Sequence, residues 1–116
     1  MLADVDGLQF NAEPKHIYNS AWITSMVVDS RYGLEKNELI DKLIAKGVGA
    51  RPFFYPLSSI PAIVKAGYDT NLHKNKNPNS YDISNRGLNL PSPLNMTQEE
   101  ITFTCNAIKD ILKERM

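Results

Sequence analysis

The chain has 116 residues, 42% hydrophobic and 22% charged, which suffices for one packed domain and lies outside the disordered and disulfide-rich classes. Thirteen basic and thirteen acidic residues cancel, so no net positive field favours nucleic acid or anionic lipid. Cys105 is the single cysteine and has no histidine or second cysteine near it, which excludes an internal disulfide and a zinc site.

Residues 2–15 carry scattered apolar side chains with Gly7 and Pro14 and read as an extended connector. No basic start followed by an apolar run marks an export signal, and the apolar segments fall short of the ~20 residues of a membrane span. A soluble chain in the reducing cytoplasm is expected. Ser20–Asp29 is rich in strand formers, with Trp22, Thr24, Met26 and Val28 on one face and Ile23 and Val27 on the other, the pattern of a central strand. Between Gly33 and Gly47 the apolar residues Leu39, Ile40, Leu43 and Ile44 recur at helical spacing, and Gly47 supplies the left-handed residue that ends such a helix.

Val48–Phe54 is predicted as a second strand. Helices are predicted over Ser59–Ala66 and Pro78–Arg86, each with a proline near its first turn and a glycine after its last. The polar stretch Asp69–Asn77 between them, with His73, Lys74 and Lys76, reads as a solvated loop. Gly87–Leu90 is a short third strand. Thr97-Gln98-Glu99-Glu100 has the capping-box pattern and opens a last helix, with Ile101, Cys105, Ile108, Ile111 and Leu112 as its apolar stripe. In that stripe Cys105 is a small core hydrophobe and not a nucleophile.

This order gives an α+β fold, a small antiparallel or mixed three-stranded sheet with its helices packed mainly on one face. A right-handed crossover leaves the first two strands parallel, and the third can enter between them, antiparallel to both. The bare second face calls for another domain.

The stretch Arg51-Pro52-Phe53-Phe54-Tyr55-Pro56-Leu57 sets three consecutive aromatics between prolines. Alternation sends Phe54 to the opposite side from Phe53 and Tyr55, so one small core cannot bury all three and at least one meets a ligand or partner. Arg51 offers a planar cationic fork suited to phosphate or carboxylate, or else a surface ion pair. Trp22 is either a core residue or part of the site wall. His16 and His73 are isolated, with no carboxylate or nucleophile at a telling spacing. There is no glycine-rich phosphate loop, no catalytic carboxylate pair and no metal-ligand cluster, so the residues alone describe no complete catalytic site.

Four strings, Leu2-Ala3-Asp4-Val5-Asp6-Gly7-Leu8, His16-Ile17-Tyr18, Arg51-Pro52-Phe53-Phe54-Tyr55-Pro56-Leu57 and Arg86-Gly87-Leu88-Asn89-Leu90-Pro91-Ser92, resemble in order and spacing the C-terminal portion of DegT/DnrJ-type sugar aminotransferases. The resemblance covers nearly the whole chain and is strongest to perosamine-synthetase-like members. It implies the small C-terminal domain of the aspartate aminotransferase fold over residues 16–116, with residues 1–15 connecting it to a large N-terminal domain.

In such an enzyme an amino group, usually from glutamate, passes to a keto group of a nucleotide-linked sugar. The pyridoxal phosphate is held by a lysine of the large domain, and the enzyme is a homodimer. No lysine here matches that motif, so no cofactor is expected on this chain alone and the isolated domain is expected to be inactive. By the same resemblance Arg51, Phe53, Phe54 and Tyr55, with Trp22 and His16, bind substrate and none is catalytic. Asn19, Ser20 and Ser58 depart from residues common in the family, which bears on which sugar is accepted. The competing reading is a stand-alone small-ligand-binding or regulatory module whose aromatic strip is its pocket.

Overall fold

Strand register divides the residues of the sheet into two faces. A computed structural model describes residues 1–67 and 69–115 and contains four strands: β1 (Leu8–Phe10), β2 (Thr24–Val28), β3 (Arg51–Pro52) and β4 (Gly87–Leu90). They lie in the order β1-β2-β4-β3 with every neighbouring pair antiparallel. β4 therefore enters between β2 and β3, which run parallel to each other, as the crossover argument requires. Phe10, Met26, Leu88 and Pro52 form one cross-strand row, while Ser25, Asn89 and Arg51 form the adjacent row on the opposite face.

The first face is the core. Met26 and Leu88 are fully buried there beneath α1 (Lys36–Ala45) and α5 (Gln98–Lys113), which contribute Leu39, Ile40, Leu43, Ala107, Ile108, Ile111 and Leu112. α1 ends in a Schellman motif: the Val48 N–H donates to the Leu43 carbonyl at 2.8 Å and the Gly47 N–H to that of Ile44 at 2.9 Å. Gly47 has φ 84°, where a Cβ would be strained. At the other helix the predicted capping box is complete, with the Glu100 N–H donating to Thr97 Oγ1 and the Thr97 N–H to the Glu100 carboxylate. Cys105 packs partly buried against the core, as a small hydrophobe does.

Several expectations need correction. The stretch taken as an extended lead-in contributes a fourth strand, because Leu8, Gln9 and Phe10 pair with Val28, Val27 and Met26. It is held there by Asp29 N–H donating to the Gly7 carbonyl (2.8 Å) and Tyr32 Oη to that of Asp6 (2.6 Å). Ion pairs Arg31–Asp6 and Lys109–Asp4 add to this, and each cation, as a hydrogen-bond donor, holds its partner carboxyl below the ordinary range.

The polar stretch read as a loop is helical: α3 (Thr70–Lys76) follows α2 (Pro61–Lys65) and precedes α4 (Pro78–Arg86). The Asp69 carboxylate caps it, accepting from the Asn71 and Leu72 N–H groups. β3 is far shorter than the predicted 48–54 strand, because β4, its partner among the described residues, begins at Gly87, opposite Phe53, and the ladder runs out there. Ile44 and Ile101, placed in the apolar stripes, are exposed, because each lies at the margin of the α1–α5 layer and not beneath it.

Candidate functional site

The face of the sheet away from α1 and α5 is polar where the core face is apolar. Ser25 on β2 donates its hydroxyl to Asn89 Oδ1 on β4 at 2.8 Å, and Asn89 pairs in register with Arg51 on the edge strand β3. The row thus passes from a hydroxyl through an amide to a guanidinium. Among the described residues the Arg51 guanidinium makes no hydrogen bond or ion pair.

Local backbone chemistry sets Trp22 above this row. Ala21 adopts the left-handed conformation (φ 52°), and its N–H is held by Asn19 Oδ1 at 2.9 Å, so the chain turns sharply into β2. Trp22 emerges from that turn 74% exposed. Ser92, just past β4, accepts from the Thr24 N–H at 2.8 Å and donates to the Leu90 carbonyl, tying the two strand ends together. The result is a cavity of about 290 Å³ lined by Trp22, Ile23, Arg51, Asn89, Pro91 and Ser92, among others, with no carboxylate in its wall.

The aromatic strip continues this wall. Phe53 packs against the α-carbon of Gly87, and its N–H donates to the Gly87 carbonyl at 3.1 Å. Phe54 lies nearly parallel to Trp22, with ring centroids 6.4 Å apart and planes at 15°, and makes an edge contact with Phe53 at 5.7 Å. Phe53 is partly buried while Phe54 and Tyr55 are exposed, in line with the argument that the core cannot take all three rings.

Tyr55 faces a separate groove, where Lys36 Nζ lies 5.4 Å from its ring centroid and donates to the Ser84 carbonyl at 2.6 Å. Arg86 in that groove is engaged with Asp82, whose carboxyl the guanidinium hydrogen bonds hold below its usual range, and with the Val28 carbonyl. His16 sits in an exposed turn closed by the Ile17 N–H donating to the Pro14 carbonyl, and lines neither recess. Of the six residues singled out from the sequence, the fold therefore gathers Arg51, Trp22, Phe53 and Phe54 and sets Tyr55 and His16 apart. Asn89 and Ser25 complete the site without having been singled out.

Chemically, an unpaired cation, a neutral amide and a two-ring aromatic wall suit a ligand with an anionic oxygen, hydroxyls and a planar or sugar ring. They hold no nucleophile and no paired acid and base. No helix of the described residues is long and apolar enough to cross a membrane.

Comparison with known proteins bears on the family of the chain. The family model of the DegT/DnrJ/EryC1/StrS aminotransferases matches residues 1–109. The chain is 30% identical over 103 residues to the GDP-perosamine synthase of Vibrio cholerae, covering 89% of this chain and 27% of that protein. It is 28% identical over 108 residues to the GDP-perosamine synthase of Escherichia coli O157:H7, covering 93% of this chain and 27% of that protein. Against the putative pyridoxal phosphate-dependent aminotransferase EpsN of Bacillus subtilis it is 29% identical over 99 residues, 85% of this chain and 24% of that protein. The chain thus spans about a quarter of the length of the curated relatives it matches. With a family match across all but its last residues and an α+β fold to carry the matched segments, the chain belongs to the DegT/DnrJ/EryC1/StrS aminotransferase family.

Proposed function

We propose that this chain is the small domain of a sugar aminotransferase and binds the nucleotide-linked sugar on its open sheet face. The observation that carries this reading is Arg51, an unpaired guanidinium in a carboxylate-free cavity walled by Trp22. Family membership and the two GDP-perosamine synthases among the relatives support an amino transfer to a keto sugar; glutamate is the donor we assign to it. Arg51 holds a phosphate oxygen, the Trp22–Phe54 pair packs on the sugar or base, and Phe53 anchors the pair to β4. Tyr55 and His16, which lie outside that cavity, are assigned to outlying parts of an extended ligand. A large domain would cover the face, and two whole subunits would pair in the cytoplasm.

Pyridoxal phosphate, which supplies the electron sink in this chemistry, does not fit the residues present here. The Arg51 cavity contains no lysine, and Lys36 beside Tyr55 is committed to the Ser84 carbonyl. We assign the cofactor to the remainder of the whole enzyme and draw no step through it.

Kinetics of the whole enzyme test this reading. Arg51→Ala is expected to raise KM for the sugar nucleotide, a loss of about 1.5–3 kcal/mol, and to leave the amino-donor half-reaction nearly unchanged. Equal losses in both half-reactions from a folded variant would instead place Arg51 in cofactor binding or site closure.

A further inference from the structure

Asn89 is a polar side chain in an almost buried position, 6% exposed on the central strand β4. Only one of its two polar atoms is used: Oδ1 accepts from Ser25, while the amide nitrogen makes no hydrogen bond to the described residues. That nitrogen is not sealed off either, since among the described residues no buried side-chain nitrogen or oxygen lacks a partner, and Asn89 lines the cavity shared by Trp22 and Arg51. A buried amide with one arm fixed and the other open to a cavity is preorganised to read a ligand group.

Its position says which group. Cross-strand neighbours stand roughly 5 Å apart at Cβ, so Asn89 lies about one such step inward from Arg51 and farther from solvent. A phosphate takes the charged, exposed position, where its remaining oxygens stay hydrated. The neutral, enclosed amide suits a neutral hydroxyl one step along the ligand.

We propose, resting on the nucleotide-sugar reading above, that Asn89 is a specificity-determining residue that bonds a hydroxyl of the hexose, and that Ser25 is the positioning residue that fixes its amide. A site built around a hydroxyl rejects analogues lacking it, because its own polar group is then left unpaired. Both hexose and ribose carry hydroxyls; the assignment is to the hexose, and because GDP contains the ribose and lacks the hexose, comparing GDP with GDP-mannose separates the two sources.

The test is nuclear magnetic resonance of the ¹⁵N-labelled chain titrated with GDP and, separately, with GDP-mannose. The Arg51 Nε–H resonance is expected to move with both ligands, and the Asn89 side-chain amide pair with GDP-mannose alone. Asn89→Ala is expected to weaken GDP-mannose binding about 5–10-fold and GDP binding less than about twofold. Ser25→Ala, which keeps Asn89 but frees its amide, should lose about two- to threefold of the same preference, and it carries the comparison if Asn89→Ala does not give a folded spectrum. An Asn89 amide that moves equally with both ligands overturns the hexose assignment. If Arg51 responds and Asn89 stays silent, the inference fails while the substrate-binding reading stands; if neither responds to either ligand, both fall.

Discussion

Gly87→Ala is expected to destabilise the domain by about 3 kcal/mol, at the upper end of what overpacking costs. A Cβ at Gly87 would lie 2.6 Å from the Ile83 carbonyl oxygen and 3.0 Å from Phe53 Cβ. The first obstacle is backbone of the last turn of α4, and it cannot rotate aside as a side chain can. The second is the root of the ring that carries the aromatic strip. Relief therefore requires β4 to part from α4 or Phe53 to lift from the sheet, and the second movement also shifts Phe54, which touches Phe53 and faces Trp22. Urea denaturation should show a lower midpoint at unchanged slope, with an altered Trp22 emission spectrum in the folded baseline. A wild-type midpoint would mean that α4, β4 and the strip do not pack this closely.

Ile108→Ala should cost as much or more, about 3–4 kcal/mol, for a different reason. Ile108 is fully buried on α5 in the cluster with Met26, Leu43 and Leu88, so truncation leaves a cavity between the helix layer and the sheet. That cavity lies on the side of the sheet opposite Arg51 and Asn89. Nucleotide-sugar affinity of the molecules that remain folded is accordingly expected to match the parent chain, measured below the denaturation midpoint. A matching loss of affinity would show that the two faces are not independent.

The parts of the fold legible in the sequence were those with local chemical punctuation. α5 was marked by Thr97 and Glu100, the end of α1 by Gly47, and β4 by the interval between the last residue of α4 and Pro91. β1 escaped because three residues carry no alternation of their own and are ordered by pairing with a strand about fifteen residues on. α3 escaped because its stabilising feature is the Asp69 cap, and a polar helix without an apolar stripe has no periodicity to detect.

The site divides along the same line. Arg51 and the three rings stood out by composition alone. Asn89 sits in a strand whose residues are all buried, and only cross-strand register brings it to Ser25, 64 residues away in sequence, and to Arg51. Tyr55, adjacent to Phe54 in sequence but past the end of β3, faces a different groove.

Trp22 is the only tryptophan in the chain and stands in the wall of the proposed site, so its fluorescence reports on the central claim directly. Titrating the 116-residue chain with GDP-mannose, the account predicts a saturable change in Trp22 emission that GDP competes away and that Arg51→Ala weakens at least about tenfold, the worth of one charge-assisted hydrogen bond. The absence of any saturable change, or an identical titration with Arg51→Ala, would contradict the assignment of the open sheet face to the nucleotide sugar.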